Sequence, residues 1–237
     1  MIRAAFDIET VSPMVPNDER PEFGNPHHFE LQSAGIAIEE DGEVEDVHHL
    51  TRDGWGDASE LVLIEEIMDV LEGVNPDVTY TYNGTEFDFF LMTERSRICS
   101  SDSYTRAIQR MQDFESVVGH EDLKEDAWAA FGNYTSLEEA LLAAGVFDDE
   151  DELPQTLLTE FDHGIDHTSW PWKNPLSDDV DVLGSTDVAV IGEHFLDGLE
   201  DGRDDDEFQQ LKEMLDHYVR NDVEHLFDLA DARPFLA

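Results

Sequence analysis

The chain has 237 residues, with 58 Asp and Glu against 13 Lys and Arg and a formal net charge of −45. That length builds one sizeable domain or at most two small ones, and no apolar run is long enough to span a bilayer. The single cysteine, Cys99, excludes an internal disulfide framework and any cysteine-cage zinc site.

Charge this dense is a signature of disorder, but 14 Phe, 4 Trp and cleanly periodic apolar segments contradict it. The composition predicts instead the protein of an extreme halophile, whose surface carboxylates stay hydrated in a salty cytoplasm. Lysine occurs only at 124, 173 and 212, with Arg supplying the other cations. At about 1 M salt the Debye length is only ~3 Å, so most of the self-repulsion would be screened. The N-terminus, MIRAAFDIET, has no basic, apolar and cleavage regions in succession, which predicts a cytoplasmic protein.

In chain order, Ile2–Glu9 reads as an apolar strand. A Pro-rich loop near 11–30 follows, with Pro13, Pro16, Pro21 and Pro26 excluding regular structure. Leu31–Glu39 and Glu43–Leu50 read as a hairpin across Asp41-Gly42. Ala58–Glu72 repeats apolar residues at helical spacing (Leu61, Ile64, Met68, Leu71), with Gly73 as its stop. Val78–Tyr82 is a strand, Thr85–Arg97 a helix and Glu115–His120 a short fifth strand. Lys124–Phe131 and Ser136–Ala144 read as helices, the second opened by a Ser136/Glu139 capping box. An acidic connection near 148–182 leads to a helix over Asp187–Leu196, a solvated Asp-rich loop at 201–206 and a long helix from Glu207 to Ala230. The pattern predicts a single α/β domain over 1–237.

In a chain this acidic, Asp-x-Glu alone means little, since it recurs at Asp41/Glu43, Asp113/Glu115, Asp148/Glu150, Asp205/Glu207 and Asp222/Glu224. Asp7 and Glu9 differ in context. They lie within an apolar strand, so alternation projects both carboxylates from one face while Phe6 and Ile8 fill the other. Adjacent anions raise each other's pKa unless a cation sits between them, and a hard divalent metal suits them. Asp88 follows the Val78–Tyr82 strand, where Thr85 and Asp88 also have capping-box spacing. In the last helix, Tyr218 and Asp222 are about 40° apart around the axis and border the stripe of Leu211, Leu215, Val219, Val223 and Leu226.

Asp7-x-Glu9 on the first strand, Asn83-x-x-x-Phe87-Asp88 after a later strand and Tyr218-x-x-x-Asp222 on the last helix together resemble the three motifs of DEDD-type 3′–5′ exonucleases. The resemblance spans nearly the whole chain and is nearest the exonuclease domains of family B DNA polymerases and their stand-alone relatives. Weaker echoes are His120-x-Asp122-Leu123 and Ser136-Leu137-Glu138-Glu139. The resemblance implies a ribonuclease H-like fold, a mixed five-stranded sheet flanked by helices. It implies two Mg²⁺ or Mn²⁺ ions on Asp7, Glu9, Asp88 and Asp222, with Tyr218 orienting the attacking water. Thr10, Asn83 and Phe87 would contact the substrate, nucleic acid, with DNA favoured over RNA. A carboxylate site holding two divalent ions suits phosphodiester hydrolysis. The alternatives are an RNA exonuclease, or a nuclease-like domain that only binds nucleic acid or a partner; the latter commonly lacks a metal carboxylate, and none is missing here.

His217 competes with Tyr218, because it stands five residues before Asp222, the spacing of the superfamily's histidine branch. In a continuous helix His217 would lie about 140° from Asp222, which favours the tyrosine branch. The remaining clusters carry less. His163 and His167 have metal-ligand spacing but lack a fourth imidazole, so no zinc site is expected. His27-His28 and His48-His49 are expected to be exposed, and Trp170, Trp172 and Lys173 to dock onto the domain.

Overall fold

Strand β1 (Ile2–Val11) lies at the centre of a five-stranded sheet, between β2 (Glu30–Glu40) and β4 (Val78–Thr81). β2 runs antiparallel to β1 and continues through a tight hairpin into the antiparallel edge strand β3 (Glu43–Thr51). On the other side, β4 and the second edge strand β5 (Gly119–Asp122) run parallel to β1. The order β3-β2-β1-β4-β5 is the mixed, ribonuclease H-like sheet expected from the sequence. The computed structural model describes residues 1–16, 19–100, 106–117, 119–165 and 182–235. Residues His167, Trp170, Trp172 and Lys173 lie outside them.

Alternation along β1 divides the core. Ala4, Phe6 and Ile8 pack against α1 (Asp57–Val74) and α2 (Phe89–Cys99), through Leu63, Ile64, Ile67 and Met92. Ala5 faces the opposite layer with Ala37 and Tyr80, under α4 (Leu123–Phe131), α5 (Leu137–Ala143) and the C-terminal half of α7 (Asp206–Asp231). Val11 joins a third cluster with α6 (Ser185–Glu200) and the first half of α7, through Phe195, Phe208, Leu211 and Leu215. Among the described residues no helix is long and apolar enough to cross a membrane.

Several boundaries differ from the sequence reading. A helix, α3 (Arg106–Val117), takes Glu115–Val117, the first half of the segment expected to be the fifth strand, and β5 runs from Gly119 to Asp122. Contacts absent from the local pattern hold this helix: Ile108 is buried, and Arg110 bonds Asp69 and Glu72 of α1 at 2.7 Å each. Helix α1 runs past Gly73 and is capped by Asn75 in the left-handed region, whose N–H reaches the Leu71 carbonyl. The region expected to be one helix from Thr85 is a π-turn over Gly84–Asp88 followed by α2. His49 is not exposed: only 9% of its side chain is accessible, and its Nδ1 lies 3.3 Å from Asp216 of α7.

That last contact reflects how closely α7 approaches the sheet. Gly35 pairs with Asp7 on one side and His49 on the other, and α7 crosses directly above it. A Cβ at position 35 would lie 2.6 Å from Val219 Cγ1 and 2.9 Å from Val223 Cγ1. Only glycine admits the helix at this height. The C-terminal end of α7 is tied down separately. Arg3 on β1 donates to both Glu39 oxygens, at 2.6 and 2.5 Å, and to Asp231 at 2.5 and 3.1 Å. Charge-assisted bidentate pairs of this kind fix orientation as well as distance.

Gly35→Ala should therefore lift α7 off the sheet. Overpacking of this kind costs about 1–3 kcal/mol, and a melting experiment in high salt should show Tm lower by roughly 3–10 °C. An unchanged Tm would mean that α7 does not depend on this close approach.

Candidate active site

Asp7 and Glu9 project from the face of β1 that α7 covers, as alternation with Phe6 and Ile8 predicts. Helix α7 delivers Asp222 to the same place. One oxygen from each of Asp7, Glu9 and Asp222 lies within 4.8 Å of the others. These residues stand at opposite ends of the chain. Their meeting is set by the packing of Val219 and Val223 over Gly35, which fixes the turn of α7 that carries Asp222.

Asp88 arrives from the turn that follows β4, the strand parallel to β1 on its other side. It is 2% exposed, and its Oδ2 has no hydrogen-bond partner among the described residues. The capping-box reading of Thr85 and Asp88 is thereby corrected: the π-turn starts from Asn83 in the left-handed region, without a side-chain cap. π-turns are frequent at functional sites because they rotate one side chain out of helical register.

The electrostatics are those of anions packed together without a cation. Burial, above all, pushes the Asp7 carboxyl up to about 7. Glu9 is raised well above the usual range by burial and then by Asp7, Asp222 and Asp88. Asp88 is raised by burial and by Asp7, and Asp222 by burial, Asp7 and Glu138. Such a set of hard oxygen donors, one of them unpartnered and buried, fits divalent cations of the Mg²⁺ or Mn²⁺ type. Tyr218 shares the site. Burial, then Asp222, Glu9 and Asp7, keep its phenol protonated far above the ordinary value, and its hydroxyl hydrogen-bonds Asp222.

The turn bearing Asp88 is clasped from below. The Asp122 carboxylate at the end of β5 accepts the backbone N–H groups of Asn83 at 2.9 Å, Thr85 at 3.0 Å and Lys124 at 3.1 Å. The Lys124 ammonium then donates to Asn83 Oδ1 and, at 2.8 Å, to Glu86. An ammonium only donates, so the Asn83 carbonyl oxygen faces Lys124 and its amide nitrogen faces away. In the sequence, His120-x-Asp122-Leu123 is only a weak echo of the exonuclease motifs, and Lys124 carries no signal beyond the rarity of lysine in this chain. Phe87 packs on Phe29 edge to face at 5.5 Å. Thr10 follows Glu9 on β1, at the point where the pairing with β2 shifts register.

His217 is not part of the cluster. Helix α7 is continuous through it, and the exposed imidazole bonds Thr156 Oγ1 at 2.8 Å, away from Asp222. His163 is buried, with its Nδ1 accepting the Ile165 N–H at 3.1 Å.

Residues 55–130, roughly a third of the chain, match the family model of the exonuclease domain of family B DNA polymerases. The matched stretch contains Asn83, Phe87, Asp88 and Asp122 but neither Asp7-x-Glu9 nor Tyr218 and Asp222. No curated protein matches the sequence. Among solved structures, the family B DNA polymerase of the hyperthermophilic archaeon Pyrobaculum calidifontis is similar over 97% of this chain, at 18% identity and a TM-score of 0.49. The chain spans 24% of that polymerase.

A pH dependence follows from the Asp7 carboxyl. Its folded-state pKa of about 7 lies above the ordinary 3.8, so its contribution to stability is full below the ordinary value and is lost as pH rises through 7. Without divalent metal, Asp7→Asn should be more stable than the parent at pH 8.5, and the gap should narrow by about half at pH 5.5 and close only as pH falls towards 3.8. The carboxyl is raised by about 3, so at about 1.4 kcal/mol per pKa unit and 2–4 °C per kcal/mol the gap at pH 8.5 should be on the order of 10 °C. Melting curves with a chelator in 3 M KCl, roughly the regime of a ~3 Å or shorter Debye length, make the comparison. A gap that does not change with pH would show that Asp7 is ordinarily ionised.

Proposed function

We propose that the chain is a metal-dependent 3′–5′ exonuclease, hydrolysing phosphodiester bonds at the 3′ end of single-stranded DNA. The observation that carries this reading is the convergence of Asp7, Glu9 and Asp222 within 4.8 Å, beside a buried and unpartnered Asp88 oxygen. Four carboxylates gathered at such energetic cost need cations to offset them. The match of residues 55–130 to a polymerase exonuclease model supports both the nuclease reading and the preference for DNA. All of residues 1–237 act as one domain in this reading, because each of the three buried clusters includes β1 residues.

Asp7, Glu9, Asp88 and Asp222 would hold two Mg²⁺ or Mn²⁺ ions. Bound there, such ions supply a nucleophile at neutral pH and stabilise charge on the departing 3′ oxygen. The chain's own residues do the positioning. Tyr218, kept protonated, orients the attacking water through its hydroxyl, the role that defines the tyrosine branch. Asn83 offers the terminal nucleotide its amide N–H groups, because Lys124 occupies its oxygen. Phe87 and Thr10 border the same nucleotide. A non-catalytic nuclease-like domain would have no use for a complete carboxylate set.

The test is digestion of 3′-labelled single-stranded DNA and RNA in multi-molar KCl with Mg²⁺ or Mn²⁺. Asp7→Ala and Asp222→Ala should fold and lose all measurable activity. Tyr218→Phe should lower turnover by about 10²-fold, in the range of a lost acid–base or water-positioning group, whereas His217→Ala should change it little. Full activity of a folded Asp7→Ala protein would remove the metal site, and the reverse order of the Tyr218 and His217 variants would assign the histidine branch.

We propose further that the protein is halophilic. With −45 formal charges unscreened, the compact state is opposed by self-repulsion. Tm should rise steeply between 0.1 and 3 M KCl, a span over which the Debye length falls from about 10 Å to under ~3 Å. Equal melting temperatures across that series would contradict a halophilic design.

A further inference from the structure

The loop between β1 and β2 presents Phe23 with 75% of its surface exposed, an unusual state for a phenylalanine with a packed cluster within reach. Its presentation is built into the backbone. Asn25 N–H bonds the Glu22 carbonyl at 3.0 Å, closing a tight turn with Phe23 and Gly24 at its corners. Gly24 takes φ +98°, the sign that the third position of a type II turn requires. The turn is pinned at several points. Glu22 N–H bonds His28 Nδ1 at 3.0 Å, Asn25 Oδ1 caps His27, and Arg95 holds the Pro26 carbonyl at 3.2 Å.

Behind the exposed ring, Phe23 rests on Phe29 and Phe87, with centroids 5.8 Å away in each case. Phe87 directly precedes Asp88 in the π-turn, so the platform rests on the same turn that carries one carboxylate of the site. One face of Phe23 is supported and the rest is open to solvent.

Charge leaves this chain few other means of holding a polyanion. Of the described cations, only Arg20, Arg106 and Lys212 form no ion pair with another described residue, against a net charge of −45. Phosphate attraction weakens further as salt rises. Base stacking on an aromatic face does not depend on charge and tolerates any base.

We propose that Phe23 is the stacking platform for a nucleobase of the single-stranded substrate, upstream of the terminal nucleotide, a role that rests on the exonuclease reading above. The turn holds the ring in place before binding, so little conformational freedom is lost when a base lands on it. Affinity in this subsite comes from the flat π-face and not merely from apolar bulk.

Binding and turnover separate the possibilities. In an Asp7→Asn background with Mg²⁺, a labelled single-stranded DNA 12-mer should bind about tenfold more weakly when Phe23 is changed to Ala. Phe23→Leu, which keeps apolar bulk, should bind as weakly as Phe23→Ala, and Phe23→Trp should restore or exceed the original affinity. With Asp7 intact, Phe23→Ala should raise KM about tenfold while kcat changes less than twofold. Single abasic substitutions walked upstream from the 3′ end should locate one position whose loss matches, and does not add to, that of Phe23→Ala. Unchanged affinity in Phe23→Ala, or full affinity in Phe23→Leu, would overturn the platform even if 3′ digestion proceeds. Conversely, Phe23-dependent binding by a protein that digests no 3′ end would overturn the exonuclease reading and leave the platform standing.

Discussion

The mutual repulsion of Asp7, Glu9, Asp88 and Asp222 is the constraint around which the molecule is organised, because nothing local would bring these groups together. Burial raises all four carboxyls, and charge adds to it: Asp7, Asp222 and Asp88 raise Glu9, and Asp7 raises Asp88 and Asp222. The site persists because apolar packing elsewhere is strong enough to hold it. Val219 and Val223 seat α7 over Gly35, while Phe208, Leu211 and Leu215 bury its first half against α6. Arg3 locks its far end to the sheet through Glu39 and Asp231. The cost of gathering the carboxylates is thus met by a core that contains none of them.

The second constraint concerns the turn after β4. A π-turn is a poor hydrogen-bonding arrangement by itself, and here Asp122 supplies the missing acceptors for Asn83 and Thr85. Lys124 adds an ion pair to Glu86 and fixes which end of the Asn83 amide faces outward. Three residues of one short stretch, Asp122, Leu123 and Lys124, therefore do different jobs: a backbone clasp, a core contact and a side-chain tether. The matched family model covers this stretch and the turn it supports.

Charge has opposite meanings in the two environments of this protein. At the surface, carboxylates face water and are screened in strong salt. In the site, the same groups are desolvated, so screening reaches them poorly and only directly bound cations can offset them. Basic side chains are drawn into specific ion pairs, such as Arg95 on Glu60 at 2.6 Å and Arg110 on Glu72, leaving few for a ligand. An aromatic surface beside the site is consistent with that shortage.

Much of this was legible in the sequence, and the reason is periodicity. Alternation in β1 already placed Asp7 and Glu9 opposite Phe6 and Ile8, and the 3.6-residue repeat of α7 already placed Tyr218 rather than His217 beside Asp222. Both follow from local geometry, which a chain carries in its own spacing. Other features have no local signature. Helix α3 runs on to Val117, into the expected strand, and Arg110 ties it to Asp69 and Glu72 on another helix. His49 is buried by α7, where its partner Asp216 stands 167 residues further along the chain. The distinction between Asp88 as a helix cap and Asp88 as a buried, unpartnered carboxylate depended on Asp122 reaching across from β5. Sequence by itself determined which side chains share a face of one element, since that is a matter of backbone repeat. Which faces meet was decided only by tertiary packing, through a glycine small enough to let a helix close on the sheet.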